Sequence, residues 1–327
     1  QIIQKKHNIS LINKIVLAGN LIEDARKFGA PQFSRMARLA FIGNQYLKAL
    51  VKKNVISEQD SDIYLANIDT IASELKKDFN NVLKDNLSID EFKSIYGHLR
   101  PGTYDINKIP YEKDNSYFSV DTNSARVEAV NQKLPKEYFK NFRKSIKEFL
   151  STYELDINVD ELLCFIEETT KFREKFKFEF TKNLSIAYEL LFEVGLELGL
   201  NRDSLSHLSI ESILAINHQN NIEDILDYWT NQVSGKKKID NTFNHIALPS
   251  LVLNYRDFNI VQYHTARPNY ITTRVVKSNL IDLDKLELEN YDKVYGEIVL
   301  LENADPGYDW IFSKNINGLI TRFGGVA

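Results

Sequence analysis

Apolar residues recur at steps of three and four through nearly all of the first 230 positions, a spacing that suits α-helices burying one face. The clearest run is Leu184, Ala187, Tyr188, Leu191, Val194 and Leu198, a continuous stripe that Gly199 is placed to end. Similar patterns cover residues 8–28, 32–53, 58–84, 136–152, 159–172, 209–217 and 221–232. Ser57-Glu-Gln-Asp60 reads as a helix start. Ser88-Ile-Asp-Glu91 is a full capping box, in which the Ser and Glu side chains satisfy each other's backbone donors. No internal repeat or low-complexity tract breaks the pattern, so a mainly α chain is expected.

Two stretches depart from it. The first is a loop from His98 to about Thr122; loops of that length inside a compact domain tend to carry function or to be disordered. The second begins near Pro268, where the texture turns toward β. Tyr270–Val276 is rich in β-branched residues and Glu297–Leu301 is a compact apolar strand. Asp305-Pro306 then supplies a cap and a first-turn proline for a helix through Trp310 to about Lys314. That helix leads into Gly318-Leu-Ile-Thr-Arg-Phe323 and a Gly324-Gly325 turn. Strand, helix, strand and glycine turn form the front half of a small α/β domain. The organisation expected is therefore a helical domain over residues 1–267, then a linker and the first part of an α/β domain over 268–327. The polar segment from about Val276 to Val294 is read as a tether with few contacts.

Net charge of −4 gives the chain no general attraction to nucleic acid or to an acidic membrane, and its apolar runs are far too short to span a bilayer. The one basic run, Lys236-Lys237-Lys238, reads as a solvated loop. Cys164, the sole cysteine, lies among Leu163, Phe165 and Ile166 and reads as a buried thiol in a reducing cytoplasm. The six histidines lack metal-ligand spacing, so no metal site is expected.

Three polar constellations carry the available chemistry. In His98-Leu-Arg-Pro-Gly-Thr-Tyr-Asp105, Arg100 offers a planar fork of donors for phosphate or carboxylate, and Gly102 lets backbone approach a ligand. Asp105 suits a base, a metal ligand or a partner for Arg100. The same residues equally describe a Pro-Gly turn closed by an ion pair. In Lys171–Lys182, Phe172, Phe176 and Phe180 would stripe one face of a helix, with Arg173 and Lys177 together on the next. That pattern describes either a solvated basic edge beside an aromatic ridge or a clamp for an anion. Glu302–Trp310 is a capped helix anchored by its tryptophan. No nucleophilic triad, Walker loop or dinucleotide fingerprint is present.

At these three places the chain resembles the phosphoenolpyruvate-synthase-like dikinases. The matching stretches are Tyr96–Ile106 (YGHLRPGTYDI), Lys177–Ser185 (KFEFTKNLS) and Gly296–Ala327. The last is similar to the start of that family's swivelling phosphohistidine domain, in which the Gly-Gly turn is followed by Ser-His and a helix. The resemblance implies a piece of a longer protein that stops two residues before the carrier histidine. It implies a preceding ATP-grasp domain using ATP and Mg²⁺, bound mainly outside this chain. That domain charges the histidine with release of AMP and phosphate, and the phosphohistidine then moves to an acceptor.

The helical region resembles the acceptor-binding domain of the shorter members, rifampicin phosphotransferase and, closest in texture, the L-glutamine kinase of capsular phosphoramidate synthesis. L-Glutamine is accordingly the implied acceptor, with pyruvate the alternative. A non-catalytic helical binding module is the reading of another class. Under the resemblance Arg100 and Asp105 would be catalytic, and His98, Thr103, Tyr104, Arg173, Lys177 and Lys182 would line the acceptor site. Thr321, Gly324 and Gly325 would lie beside the carrier histidine.

Overall fold

The computed structural model describes residues 9–114, 117, 134–217, 221–243, 253–259, 275–286, 291, 293–303 and 306–323. It is mainly helical, with a small parallel sheet near the carboxyl end. Ten α-helices occur among these residues: α1 (Leu11–Asp24), α2 (Ala30–Lys52), α3 (Glu58–Ala66), α4 (Ile71–Leu83), α5 (Ile89–Tyr96), α6 (Lys140–Thr152), α7 (Val159–Glu197), α8 (Arg202–Ser206), α9 (Ile210–Leu214) and α10 (Ile222–Phe243). The strands are β1 (Leu280–Asp282), β2 (Ile298–Asn303) and β3 (Gly318–Phe323).

The chain divides into two compact units. One comprises residues 1–19 and 189–279, the other 20–188 and 280–327. Both are discontinuous, and α7 contributes to each. The boundary expected at residue 268 lies outside the described residues.

The larger unit owes its helix ends to local chemistry. Ser57 accepts from the Asp60 amide at 3.0 Å and starts α3. Ser88 and Glu91 make the reciprocal box that starts α5. One expected helix over 58–84 is instead two. The break falls at Asn67–Thr70, where Thr70 and Ser73 form a second capping box. Serine at the third helical position, in place of Glu or Gln, hid that signal from the sequence. The reverse happens in α7, where runs read as separate form one helix of 39 residues.

Buried α7 positions in its first half are Leu162, Leu163, Ile166 and Thr169. They pack with Leu47 and Leu50 of α2 and with Phe142, Ile146 and Leu150 of α6. Cys164 lies on the opposite side of the helix from these positions and is exposed, contrary to the buried thiol expected. Apolar neighbours in sequence were misleading, because adjacent helical residues point about 100° apart. The aromatic stripe is also displaced. Phe172 is exposed and Phe178 is the buried ring, while Phe180 packs on Phe33 and on Gly29. A Cβ on Gly29 would stand 2.4 Å from the Phe180 Cβ, so only glycine permits this approach.

β1, β2 and β3 lie in that order, all parallel, with Val299 opposite Leu319 and Leu301 opposite Thr321. Val299 and Leu301 enter one core with Leu75 and Phe79 of α4, Phe92 and Tyr96 of α5, and Phe178 of α7. The crossover from β2 to β3 is a 3₁₀ helix, Pro306–Lys314, within the bounds expected of a helix there. Asp305, the expected cap, lies outside the described residues. Most of the expected strand Tyr270–Val276 also lies outside them, and its described end, Val275 and Val276, belongs to no strand. The segment read as a tether with few contacts carries β1 and buries Leu283, Tyr291 and Val294 in this same core. Three apolar side chains spaced among polar ones were enough to anchor it.

In the smaller unit, Trp229 of α10 is fully buried and is tied to α9. Trp229 donates from its indole nitrogen to the Ser212 carbonyl at 3.3 Å. Gly199 takes a positive φ of 73° and the Leu200 amide bonds back to the Gly195 carbonyl, so α7 stops where the sequence placed its end. Lys236–Lys238, expected in a loop, lies within α10. There Lys237 pairs with Asp203 at 2.7 Å and Lys236 with Asp240 at 3.5 Å.

Arg202 grips the buried Glu189 carboxylate with contacts of 3.0 and 2.9 Å and stacks on the Phe192 ring. Removing one partner leaves a buried charge short of its counter-ion, which typically costs about 3–5 kcal/mol. Arg202→Ala is therefore expected to lower stability by roughly that amount, whereas the double variant Arg202→Met with Glu189→Leu recovers most of it. Urea unfolding followed by circular dichroism measures both.

Candidate functional site

The segment from His98 to Lys113 forms a closed loop. Its neck is two backbone pairs, the Tyr111 amide to the Leu99 carbonyl and the Glu112 amide to the Gly97 carbonyl, each 2.9 Å. Inside the neck the chain turns at Gly102, whose φ of +60° favours glycine. The Asp105 amide bonds to the Gly102 carbonyl at 2.7 Å, and the Asp105 carboxylate accepts from the Asn107 amide at 2.9 Å. Two of the loop's backbone amides thus find local acceptors.

The loop runs beside one row of α7. Residues Glu174, Phe178, Thr181, Ser185 and Tyr188 recur at steps of four and three and so share a face. His98 meets this row first. Its ring stands edge-on to Phe178 at 4.5 Å, and Nε2 lies 3.2 Å from the Phe178 carbonyl oxygen, to which it donates. Burial, helped by the Lys182 charge, pulls the imidazole down to about 4, so it is neutral at pH 7.

Arg100 comes next. Its guanidinium is 2% exposed; one terminal nitrogen donates to the Lys108 carbonyl at 3.0 Å, the other to the Ser185 hydroxyl at 2.8 Å and carbonyl at 3.3 Å. It also lies over the Tyr188 ring at 5.3 Å, and the Tyr188 hydroxyl donates to the Tyr104 carbonyl at 3.3 Å. Burial pushes that hydroxyl above its ordinary range, against the pull of the Arg100 charge.

Between the loop, α4 and α7 lies a small cavity of about 30 Å³. Ile71, Leu75, Leu99 and Phe178 give it apolar walls; Thr103, Glu174, Lys177 and Thr181 give it polar groups. The structure therefore brings two of the residues singled out in the sequence, Thr103 and Lys177, to one cleft. Tyr104 is 57% exposed at the loop tip, and Asp105 is half-buried beside it.

Arg173 and Lys182 have acidic neighbours. Arg173 is bonded through Nε and a terminal nitrogen to the Glu174 carboxylate at 2.9 and 2.7 Å, and Lys182 pairs with Glu179 at 2.9 Å while lying over the Phe178 ring. An anion binding at Arg173 would have to compete with a carboxylate built into the same helix. Thr321 is half-buried in β3; Gly324 and Gly325 lie outside the described residues. Among the described residues no three His, Cys, Asp or Glu side chains gather into a metal-binding group, and no helix is long and apolar enough to cross a membrane.

Sequence reading missed Glu174 and Thr181 as members of this cleft, and Ser185 and Tyr188 as the residues behind it that bind the loop. Their four-and-three spacing was visible, but only the loop lying across them gives it meaning. Comparison with protein-family models, curated proteins and solved structures finds no match for this chain.

His98 makes the site pH-sensitive. A histidine held near 4 in the fold and about 6.5 in the unfolded chain takes up its proton more readily when unfolded. Its contribution is complete above about pH 6.5 and is lost as pH falls toward 4, by up to about 3 kcal/mol. His98→Gln is expected to flatten the stability profile between pH 7 and 4.5, as read by urea unfolding at each pH.

Proposed function

We propose that this chain is the acceptor-binding region and the first part of the carrier domain of an ATP-dependent phosphotransferase. The phosphoryl group would pass through a phosphohistidine to a small acceptor, with L-glutamine favoured and pyruvate the alternative. The observation that carries the reading is the convergence of two motif regions on one cleft: Thr103, from the His98–Asp105 loop, and Lys177, from α7, line the same small cavity with apolar walls.

The third motif region adds support. β2, the 3₁₀ helix and β3 have the parallel strand–helix–strand order with which the family's carrier domain begins, and they share a core with the α4, α5 and α7 residues around the cleft. A phosphoimidazole presented near this cleft would meet Lys177 as a cation able to offset charge on the transferring group. The Thr103 and Thr181 hydroxyls would orient the acceptor, and the apolar wall would exclude water. The Asp105 carboxylate, near the loop tip, would accept the proton that an amide nitrogen loses on phosphorylation. Arg100 would act from behind the loop, since its terminal nitrogens are directed to Lys108 and Ser185. When bound, ATP and Mg²⁺ would supply the activated phosphoryl group; they would sit mainly on the preceding domain. Such an enzyme would work in the cytoplasm, where ATP is supplied.

The full-length protein, mixed with ATP and L-glutamine, is expected to give a phosphoramidate signal by phosphorus NMR together with AMP and phosphate. Pyruvate giving phosphoenolpyruvate instead would select the alternative. No AMP with either acceptor would overturn the phosphotransferase reading and favour a binding module. Lys177→Ala is expected to lower kcat/KM for the acceptor by about 100-fold, the size typical of losing a charge partner in the transition state.

A further inference from the structure

We propose that Ser185 and Tyr188, acting through Arg100, are positioning residues that hold the Pro101–Asn107 loop preformed for recognition at the cleft. The claim deepens the function proposed above and, for its acceptor arm, rests on it. Neither Ser185 nor Tyr188 lies on the cleft lining, yet both bind the loop that supplies Thr103.

The geometry is that of a brace. The Arg100 guanidinium bridges two places the backbone alone does not join, the far limb of its own loop at Lys108 and the middle of α7 at Ser185. A planar fork is suited to this, because its donors leave in fixed, diverging directions. The Tyr188 ring covers the cation and its hydroxyl holds the Tyr104 carbonyl, so the loop is fixed a second time one helical turn further on.

Burial strengthens both contacts, since water cannot replace the Ser185 oxygen at a guanidinium that is 2% exposed. Loop residues Pro101 and Ile106 are buried as well, while Tyr104 and Asn107 are exposed. A loop with its underside fixed and its tip held but exposed loses little ordering entropy when a ligand arrives. Without the brace, the neck pairs at Leu99 and Gly97 would still close the loop, but its tip would lose its fixed position relative to Lys177.

Hydrogen exchange on the full-length protein tests this without requiring any activity. Ser185→Ala is expected to speed exchange of the Asp105, Asn107 and Lys108 amides by about tenfold, the scale of one hydrogen bond to a charged group, with the α4 and α7 amides unchanged. Ser185→Thr, which keeps the hydroxyl, should restore protection. Tyr188→Phe should act in the same direction as Ser185→Ala, and Arg100→Lys more strongly, because one ammonium cannot span both anchors.

Loop exchange unchanged in Ser185→Ala and Arg100→Lys would overturn the proposal, as would a rise spread evenly over the whole larger unit. In the acceptor assay the same Ser185→Ala variant should raise KM for the acceptor about tenfold, leaving kcat and acceptor-free AMP release within about twofold. An unchanged KM in a protein that does release AMP counts against the recognition role. A wild-type protein releasing no AMP removes the proposed function instead, and the exchange pattern then decides whether the brace exists.

Discussion

A guanidinium can sit at 2% exposure only where its charge meets other partners in place of water, and Arg100 meets that condition with groups from the far limb of its loop and from α7. Much of the larger unit around the cleft follows from this constraint. The loop must close on itself so that the Lys108 carbonyl reaches the cation. Residue 102 must turn with positive φ, which explains the glycine there. On α7 a small hydroxyl is needed where a larger side chain would block the fork, and Ser185 provides it.

The aromatic residues around this charge have a consistent task. Phe178, Tyr96, Tyr117, Tyr291 and Trp310 belong to one core that joins α5, α7, the loop and the strands, with the Tyr291 and Trp310 rings stacked at 4.6 Å. Aromatic groups bury large areas at little conformational cost, which suits a junction where helices, a loop and a three-stranded sheet must meet without regular packing angles. The sheet is too short to be stable by itself, so its apolar side depends on the helical residues it covers.

Helices and their ends were the most legible part of the sequence. Ser57, the Ser88–Glu91 box and Gly199 act where their chemistry says they should, because each satisfies backbone groups within a few residues. Legibility failed where the deciding partner lies far along the chain. Cys164 looks buried beside Leu163 and Phe165, but α2 and α6 cover the opposite face. Phe178 rather than Phe176 is buried because α4, α5 and the loop approach from that side. Leu283, Tyr291 and Val294 are too widely spaced to mark a core segment until β1, just ahead of them, pairs with β2. At the candidate site the same division holds. Arg100, Thr103 and Lys177 stood out by residue type, whereas Ser185 and Tyr188 are ordinary helix residues until a loop 85 and 84 positions away is laid across them.

The outward position of Cys164 has a practical corollary. A lone sulfhydryl facing solvent from a long, rigid helix can take one maleimide dye or spin label stoichiometrically, with no residue altered. Its helical neighbours Leu163 and Ile166 are fully packed, so a probe attached there would report on the orientation of α7 itself and not on local fraying.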